Sequence, residues 1–297
     1  MPEPPPVETV SAATLSDEER SARATRSGGE PLLTSETTRS PYLDYEQIDT
    51  LLSLQRLRSD GAAELSFHIM GQVKELLFKL LHAEFSRARD ELARDDPESA
   101  LWTLRRALPV QRLLVQCWDV LRAMSPAEFN EFRDLLGAAS GVQSFMYRRL
   151  EFVLGNKNPA MLRPHSGVPS IAAQVAADLA APSLYDEAVR LLARRGAAIP
   201  EDHLTADVAA AYRPHPSVER AWADCYRPDG DLLLRRLAEA LCDVAYEFAR
   251  WRAVHLLLVE RTIGNKPGSG ASSGLAWLRA ASEHRFFPEL WTARNLL

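Results

Sequence analysis

Residues 231–263 read DLLLRRLAEALCDVAYEFARWRAVHLLLVERTI, 33 residues without glycine or proline. Within them Leu234, Leu237, Leu241, Val244, Phe248, Trp251, His255, Leu258 and Thr262 recur at spacings of three and four. Such spacing gathers side chains on one face of a helix, as in a buried seam between packed helices. The stretch therefore predicts a long helix with its apolar face inside a bundle. One member of the stripe, His255, is out of character with its neighbours.

The same period extends outward. A helix is expected over about 60–95, ending at Asp95-Asp96-Pro97, and another over about 98–123, bent at Pro109 where an N–H is missing. Ser125-Pro-Ala-Glu128 is a capping box with proline at the first helical position. The helix it starts should break near Gly137 and Ser140-Gly141, then resume to about Leu154. A weaker helix is expected over 183–195, stopping at Gly196. No stretch alternates with a period of two, and no internal repeat is found. The expected fold is all-α, a bundle of long helices. Residues 1–40, rich in Pro, Glu, Ser and Thr, have no apolar period and are expected to form a disordered tail. Residues 41–297 are expected to form a single helical domain.

The chain has 297 residues, 46% hydrophobic and 25% charged, ordinary for a globular protein. Its 35 Lys and Arg against 40 Asp and Glu give a net charge of −5. With no basic block, it is a poor candidate for nucleic-acid binding. No apolar run approaches the ~18 residues of a membrane span, and the first residues lack the features of a secretory signal. Three scattered cysteines, Cys117, Cys225 and Cys242, argue against a disulfide scaffold and a thiolate zinc site. They fit a reducing compartment, so a cytoplasmic location is expected.

His255 admits two readings. It is either a core histidine bonded to a backbone carbonyl, or a ligand projecting between helices to a cofactor iron. A zinc site would need more ligands than the sequence groups together, so a metal here implies one protein ligand plus a macrocycle. After the helix comes Gly264-Asn-Lys-Pro-Gly-Ser-Gly-Ala-Ser-Ser-Gly274. This loop reads either as a flexible linker or as a segment that moves over a small polar ligand.

Four stretches then carry a resemblance. They are Tyr42-Leu-Asp-Tyr45 with Leu51-Leu-Ser-Leu-Gln55; Phe132 to Ser144 with Tyr147-Arg148 and Glu151 to Lys157; Trp251-Arg-Ala-Val-His255; and Gly264 to Gly274 followed by Phe287-Pro-Glu-Leu-Trp291. From about Pro41 to the C-terminus the chain resembles the heme-dependent tryptophan 2,3-dioxygenases. The resemblance implies a homotetramer of helical subunits, each with one heme b whose iron is held by His255, with Trp251 also beside the cofactor. It implies that Arg133 holds a substrate carboxylate, which suits its charged, bidentate fork; on composition alone Arg133 reads as a surface ion-pair partner. Ser269 falls where the family usually has a threonine contacting the substrate ammonium. Phe67, Phe129, Leu136 and Ser140 match positions lining the pocket. Tyr42 and Tyr45 match a pair that enters a neighbouring subunit's site; alone they read as packing tyrosines.

One departure stands out. The family carries a distal histidine that contacts the indole N–H, and here Gly71 matches that position. His68 lies three residues earlier, about 300° around the helix, and does not replace it. Glycine inside a helix costs roughly 0.5–1 kcal/mol against alanine. The vacated space either serves a substituted or repositioned substrate, or reflects drift at a position the reaction does not need. The expected function is an oxygenase using O2 on indole C2–C3 of tryptophan or a derivative such as β-methyltryptophan. The departure leans it toward a biosynthetic monooxygenase making an oxindole, like the maremycin-pathway branch of antibiotic biosynthesis. The alternative is a true dioxygenase making N-formylkynurenine. A non-catalytic heme sensor or carrier is the other class, and it has no use for a carboxylate clamp.

Overall fold

The computed structural model describes residues 15–30, 40–268 and 274–297. Fourteen α-helices run through them, and no strand forms among the described residues. The first three belong to an N-terminal unit, Met1–Arg56, and the others to a larger unit, Leu57–Leu297. In the smaller unit lie α1 (Asp17–Arg26), α2 (Pro41–Glu46) and α3 (Ile48–Leu52).

None of these three helices buries a residue. Helix α1 departs from the expected tail. A reciprocal capping box between Ser16 and Glu19 starts it, with Asp17 and Glu18 also in its first turn. Caps and charge matched to the helix dipole support a helix that no core supports. The division between units also falls later than position 40, so α2 and α3 sit with the N-terminal residues.

The larger unit is built on three long helices: α4 (Glu64–Ala93), α5 (Pro97–Arg122) and, later in the chain, α12 (Leu232–Thr262). Helix α5 packs against both of the others. It runs through Pro109 as one continuous element. Between α5 and α12 come α6 (Pro126–Arg133), α7 (Phe145–Val153), α8 (Pro169–Ala180), α9 (Leu184–Arg194), α10 (Glu201–Leu204) and α11 (Pro216–Cys225). Helices α13 (Leu275–Glu283) and α14 (Pro288–Thr292) end the chain.

Starts and stops follow local chemistry. Ser125 and Glu128 cap α6 reciprocally. The helix then tightens into a 3₁₀ turn, Asp134–Leu136, and stops at Gly137, whose φ is 59°. Ser140 caps a second 3₁₀ turn, and Ser144 caps α7 through the Tyr147 N–H at 3.1 Å. Ser183 caps α9, and Gly196 follows it at φ 96°. Asp231 accepts from the N–H groups of Leu233 and Leu234 to start α12.

The α12 stripe changes character along its length. Leu234, Leu237, Leu241, Val244, Phe248 and Trp251 are buried in the main core. Beyond Trp251 the same stripe, now His255, Leu258 and Thr262, lines a cavity. The periodicity that predicts a seam holds throughout, but its last two turns also form a wall of this cavity.

Candidate functional site

The cavity has a volume of about 680 Å³. That is within the ~300–1,000 Å³ common for ligand sites. Helix α4 presents Phe67, Gly71, Lys74 and Phe78 to it, α5 presents Trp118 and Leu121, and α12 presents Trp251 and His255. Phe129, Leu136 and Ser140 close another part of the wall. Phe67, Phe129 and Phe132 pack as an aromatic triplet, with centroids 5.3–5.9 Å apart.

His255 is half-buried and lines the cavity. Its ring lies parallel to the Trp118 indole, 4.4 Å between centroids and 3° between planes. Burial first, and the Lys74 ammonium second, pull its pKa down to about 3. It is therefore neutral at any physiological pH, with a nitrogen lone pair to offer a metal. The backbone-carbonyl bond of an ordinary core histidine is not seen among the described residues. Nor do three or more His, Cys, Asp or Glu side chains gather into a metal site there. One neutral imidazole facing a wide, largely apolar space suits a macrocycle that brings the iron's other ligands. Among the described residues, Trp251 Nε1 is buried with no hydrogen-bond partner, and Trp251 lines the same space.

The walls carry cations. Lys74 Nζ sits 3.8 Å from the Trp118 ring centroid. Burial lowers its pKa to about 8, so it is mostly charged at neutral pH. Deeper in, Glu151 is shared by Arg148 and Arg252, with the Arg252 contact at 2.7 Å. Arg252 also donates to the Tyr147 hydroxyl at 3.2 Å and meets His284 Nδ1 at 3.2 Å. Burial and then Arg252 lower the His284 pKa to about 4. Two guanidiniums for one carboxylate leave this buried cluster electropositive, a setting for a ligand's acid groups.

The residues singled out in the sequence divide as follows. Phe67, Gly71, Phe129, Leu136, Ser140, Trp251 and His255 share the cavity wall. A Cβ built on Gly71 meets nothing within 4 Å, so the space there is open. His68 is outside the wall and pairs with Gln72 at 3.2 Å. Arg133 is not part of the wall either: its Nη2 donates to the Pro267 carbonyl at 2.7 Å, tying α6 to the segment after α12. Ser269 lies outside the described residues. The flanks of its loop, Lys266, Gly268 and Gly274, do line the cavity. Gly274 has φ 61°, and a Cβ there would lie 2.8 Å from the Lys266 carbonyl oxygen, so glycine is required. Tyr42 and Tyr45 belong to α2 in the N-terminal unit, 63% and 84% exposed. Sequence reasoning missed Lys74, Trp118 and the Arg148–Glu151–Arg252 cluster. Lys74 had a signal, since it follows Gly71 by three on the same helix face. Trp118 had none, because it reads as one core aromatic among many.

A helical chain that opens a wide, largely apolar cavity onto the neutral imidazole of His255, while the cavity's other histidine, His284, is engaged by Arg252, has the site of a heme protein. Comparison with known sequences makes that class specific. The profile of the family described as tryptophan 2,3-dioxygenase matches residues 28–236 and 225–297. A tryptophan 2,3-dioxygenase of Polaromonas sp. strain JS666 is 44% identical over 86% of this chain and 87% of its own length. Those of Exiguobacterium sibiricum and Bradyrhizobium sp. strain BTAi1 are 43% and 46% identical, each over 86% of this chain and 92% of their own. The chain belongs to the tryptophan 2,3-dioxygenase family, and heme b is the cofactor of that family. Among the described residues no helix is long and apolar enough to cross a membrane.

Proposed function

We propose that the protein is an oxygenase that uses heme and O2 on indole C2–C3 of an amino acid of the tryptophan type. The heme, when bound, supplies the activation of dioxygen. Everything else falls to the chain. His255 would hold the iron, its neutrality keeping the lone pair free, and Trp118 and Trp251 pack against its ring. Phe67, Phe129, Leu136 and Ser140 shape the pocket for a flat bicyclic ring and exclude water. Arg133 anchors the substrate carboxylate, and its present partner, the Pro267 carbonyl, is one a carboxylate would displace with a better acceptor. Ser269 takes the ammonium. Fixing both ends of the amino acid presents the ring edge in one orientation, which is the advantage of proximity. Tyr42 and Tyr45 complete the site of a neighbouring subunit in a homotetramer; their exposure suits that role.

The observation that carries the finer reading is the open space at Gly71. A pocket without the distal side chain has room for a substituted substrate such as β-methyltryptophan and lacks the usual partner of the indole N–H. On this reading the enzyme adds one oxygen atom and makes an oxindole in a biosynthetic pathway. The second atom leaves as water, which requires two electrons from an external donor. The second reading is a dioxygenase forming N-formylkynurenine, favoured by the names of its relatives. That reaction inserts both atoms and needs no donor. Incubating the ferrous protein with tryptophan and with β-methyltryptophan under ¹⁸O₂, with and without a reductant, separates the two. Mass spectrometry then counts one or two labelled atoms in the product. Turnover of neither substrate would sink both readings.

A further inference from the structure

Lys74 has no part in the function as described so far. It projects from α4 into a wall shared with Phe67, Phe78, Trp118 and Leu121. Its ammonium rests 3.8 Å from the Trp118 ring centroid, a cation–π contact. The same indole carries His255 in parallel contact at 4.4 Å. Lys74 of α4 and His255 of α12 thus both rest on the indole that α5 supplies. A cation in such a cavity is weakly screened, so its field reaches further than it would in water.

We propose that Lys74 is a positioning charge for the iron held by His255: acting across Trp118, it favours the ferrous state over the ferric. The inference rests on the heme reading of His255. The couple is Fe(III) + e⁻ ⇌ Fe(II), one electron with no bond made or broken. Reduction lowers the charge at the metal by one, and a nearby fixed cation stabilises the less positive state. The effect is on the equilibrium alone, so the proposal requires no dedicated electron donor. Its use is plain for an oxygenase, since only ferrous iron takes up dioxygen.

The test is a spectroelectrochemical titration of heme-loaded wild type, K74M, K74Q and K74R, with dithionite as reductant. The expected result is a lower midpoint potential in K74M and K74Q, with K74R close to wild type. At a fixed solution potential the ferrous-to-ferric ratio should fall roughly tenfold on loss of the charge, which is about 59 mV for one electron. Unchanged potentials in K74M and K74Q, with heme content retained, would overturn the proposal. So would an equal fall in K74R, since shape and not charge would then be at work. If K74M and K74Q lose heme while K74R keeps it, Lys74 retains the cofactor instead of tuning it, and the proposal is again wrong. A wild type that takes up no heme would instead overturn the reading of His255 on which it stands.

Discussion

The indole of Trp118 lies flat on the imidazole of His255, 4.4 Å away and within 3° of parallel. Trp118 is itself fixed by its Nε1–H, which donates to the Trp251 carbonyl at 3.2 Å. One turn of α12 therefore supplies the acceptor that sets Trp118, and Trp118 sets the ring plane of His255. An imidazole held in this way meets a metal with its orientation already chosen, which reduces the ordering cost of coordination.

The first prediction follows directly. His255→Ala should purify without a Soret band, and added imidazole should restore one by entering the space the side chain leaves. A full complement of heme in H255A would show that another residue holds the iron.

Arg133 carries the second. Substrate-induced spectral change should disappear in Arg133→Leu, because a carboxylate in the pocket loses its charged partner at a cost of roughly 2–5 kcal/mol. Tryptamine, which has no carboxylate, should bind wild type far more weakly than tryptophan and should bind R133L no worse than it binds wild type. Equal binding of tryptamine and tryptophan to wild type would remove Arg133 from the role.

A pH effect is expected from His284. Its folded pKa is lowered to about 4 by burial and then by Arg252. Below the unfolded value of about 6.5, the unfolded chain binds a proton that the folded chain refuses. The group costs nothing above that value. Its penalty grows as the pH falls, to about 2 kcal/mol at pH 5, and levels off below the folded pKa. Thermal melts of the apoprotein from pH 8 to pH 4.5 should show stability falling through this window. His284→Gln should flatten that slope. A slope identical in H284Q and wild type would mean His284 does not titrate as its surroundings require.

Much of the architecture was legible because long helices announce themselves. The α12 stripe, the capping box at Ser125, the break at Gly137 and the helix ending before Gly196 are local signals, and the structure has each of them. Helices α8 and α11 were not read. Each is short and starts at a proline, Pro169 and Pro216, in stretches that look like loop punctuation. Helix α1 was missed because its support lies in capping and charge, not in an apolar period. Within the site, His255 was visible as a polar break in an apolar stripe. The Arg148–Glu151–Arg252 cluster was not, since it joins α7 to α12 across about a hundred residues and depends on the fold itself.

The N-terminal unit gives a fourth prediction. Helix α1 buries nothing, so deleting residues 1–35 should leave assembly and activity intact. Deleting through residue 48 also removes Tyr42 and Tyr45. Heme should still bind, but turnover should be lost if those tyrosines complete a neighbour's site. Size-exclusion chromatography with activity assays on both truncations reads this out. An active monomer after the longer deletion would end the shared-site idea.

The fifth concerns Gly71, and it separates one oxygen from two. No atom lies within 4 Å of a Cβ built there, so Gly71→His should fold and should gain helix propensity. A loss of binding in that variant therefore reads the pocket and not the fold. If a substituted or repositioned substrate uses the space, an imidazole there crowds it. Overpacking typically costs ~1–3 kcal/mol, so affinity for the native substrate should fall by about ten-fold or more. The product should also shift toward N-formylkynurenine, because the new ring supplies the missing partner for the indole N–H. If instead the position has drifted, G71H should bind tryptophan as well as wild type or better. Wild type should then already make N-formylkynurenine as its main product. The added ring also enters a wall that holds Lys74 three residues on. That cation opposes a second charge, so the imidazole should stay neutral and act as a hydrogen-bonding group. Binding isotherms for tryptophan and β-methyltryptophan on both proteins, with product analysis under ¹⁸O₂, decide between these outcomes.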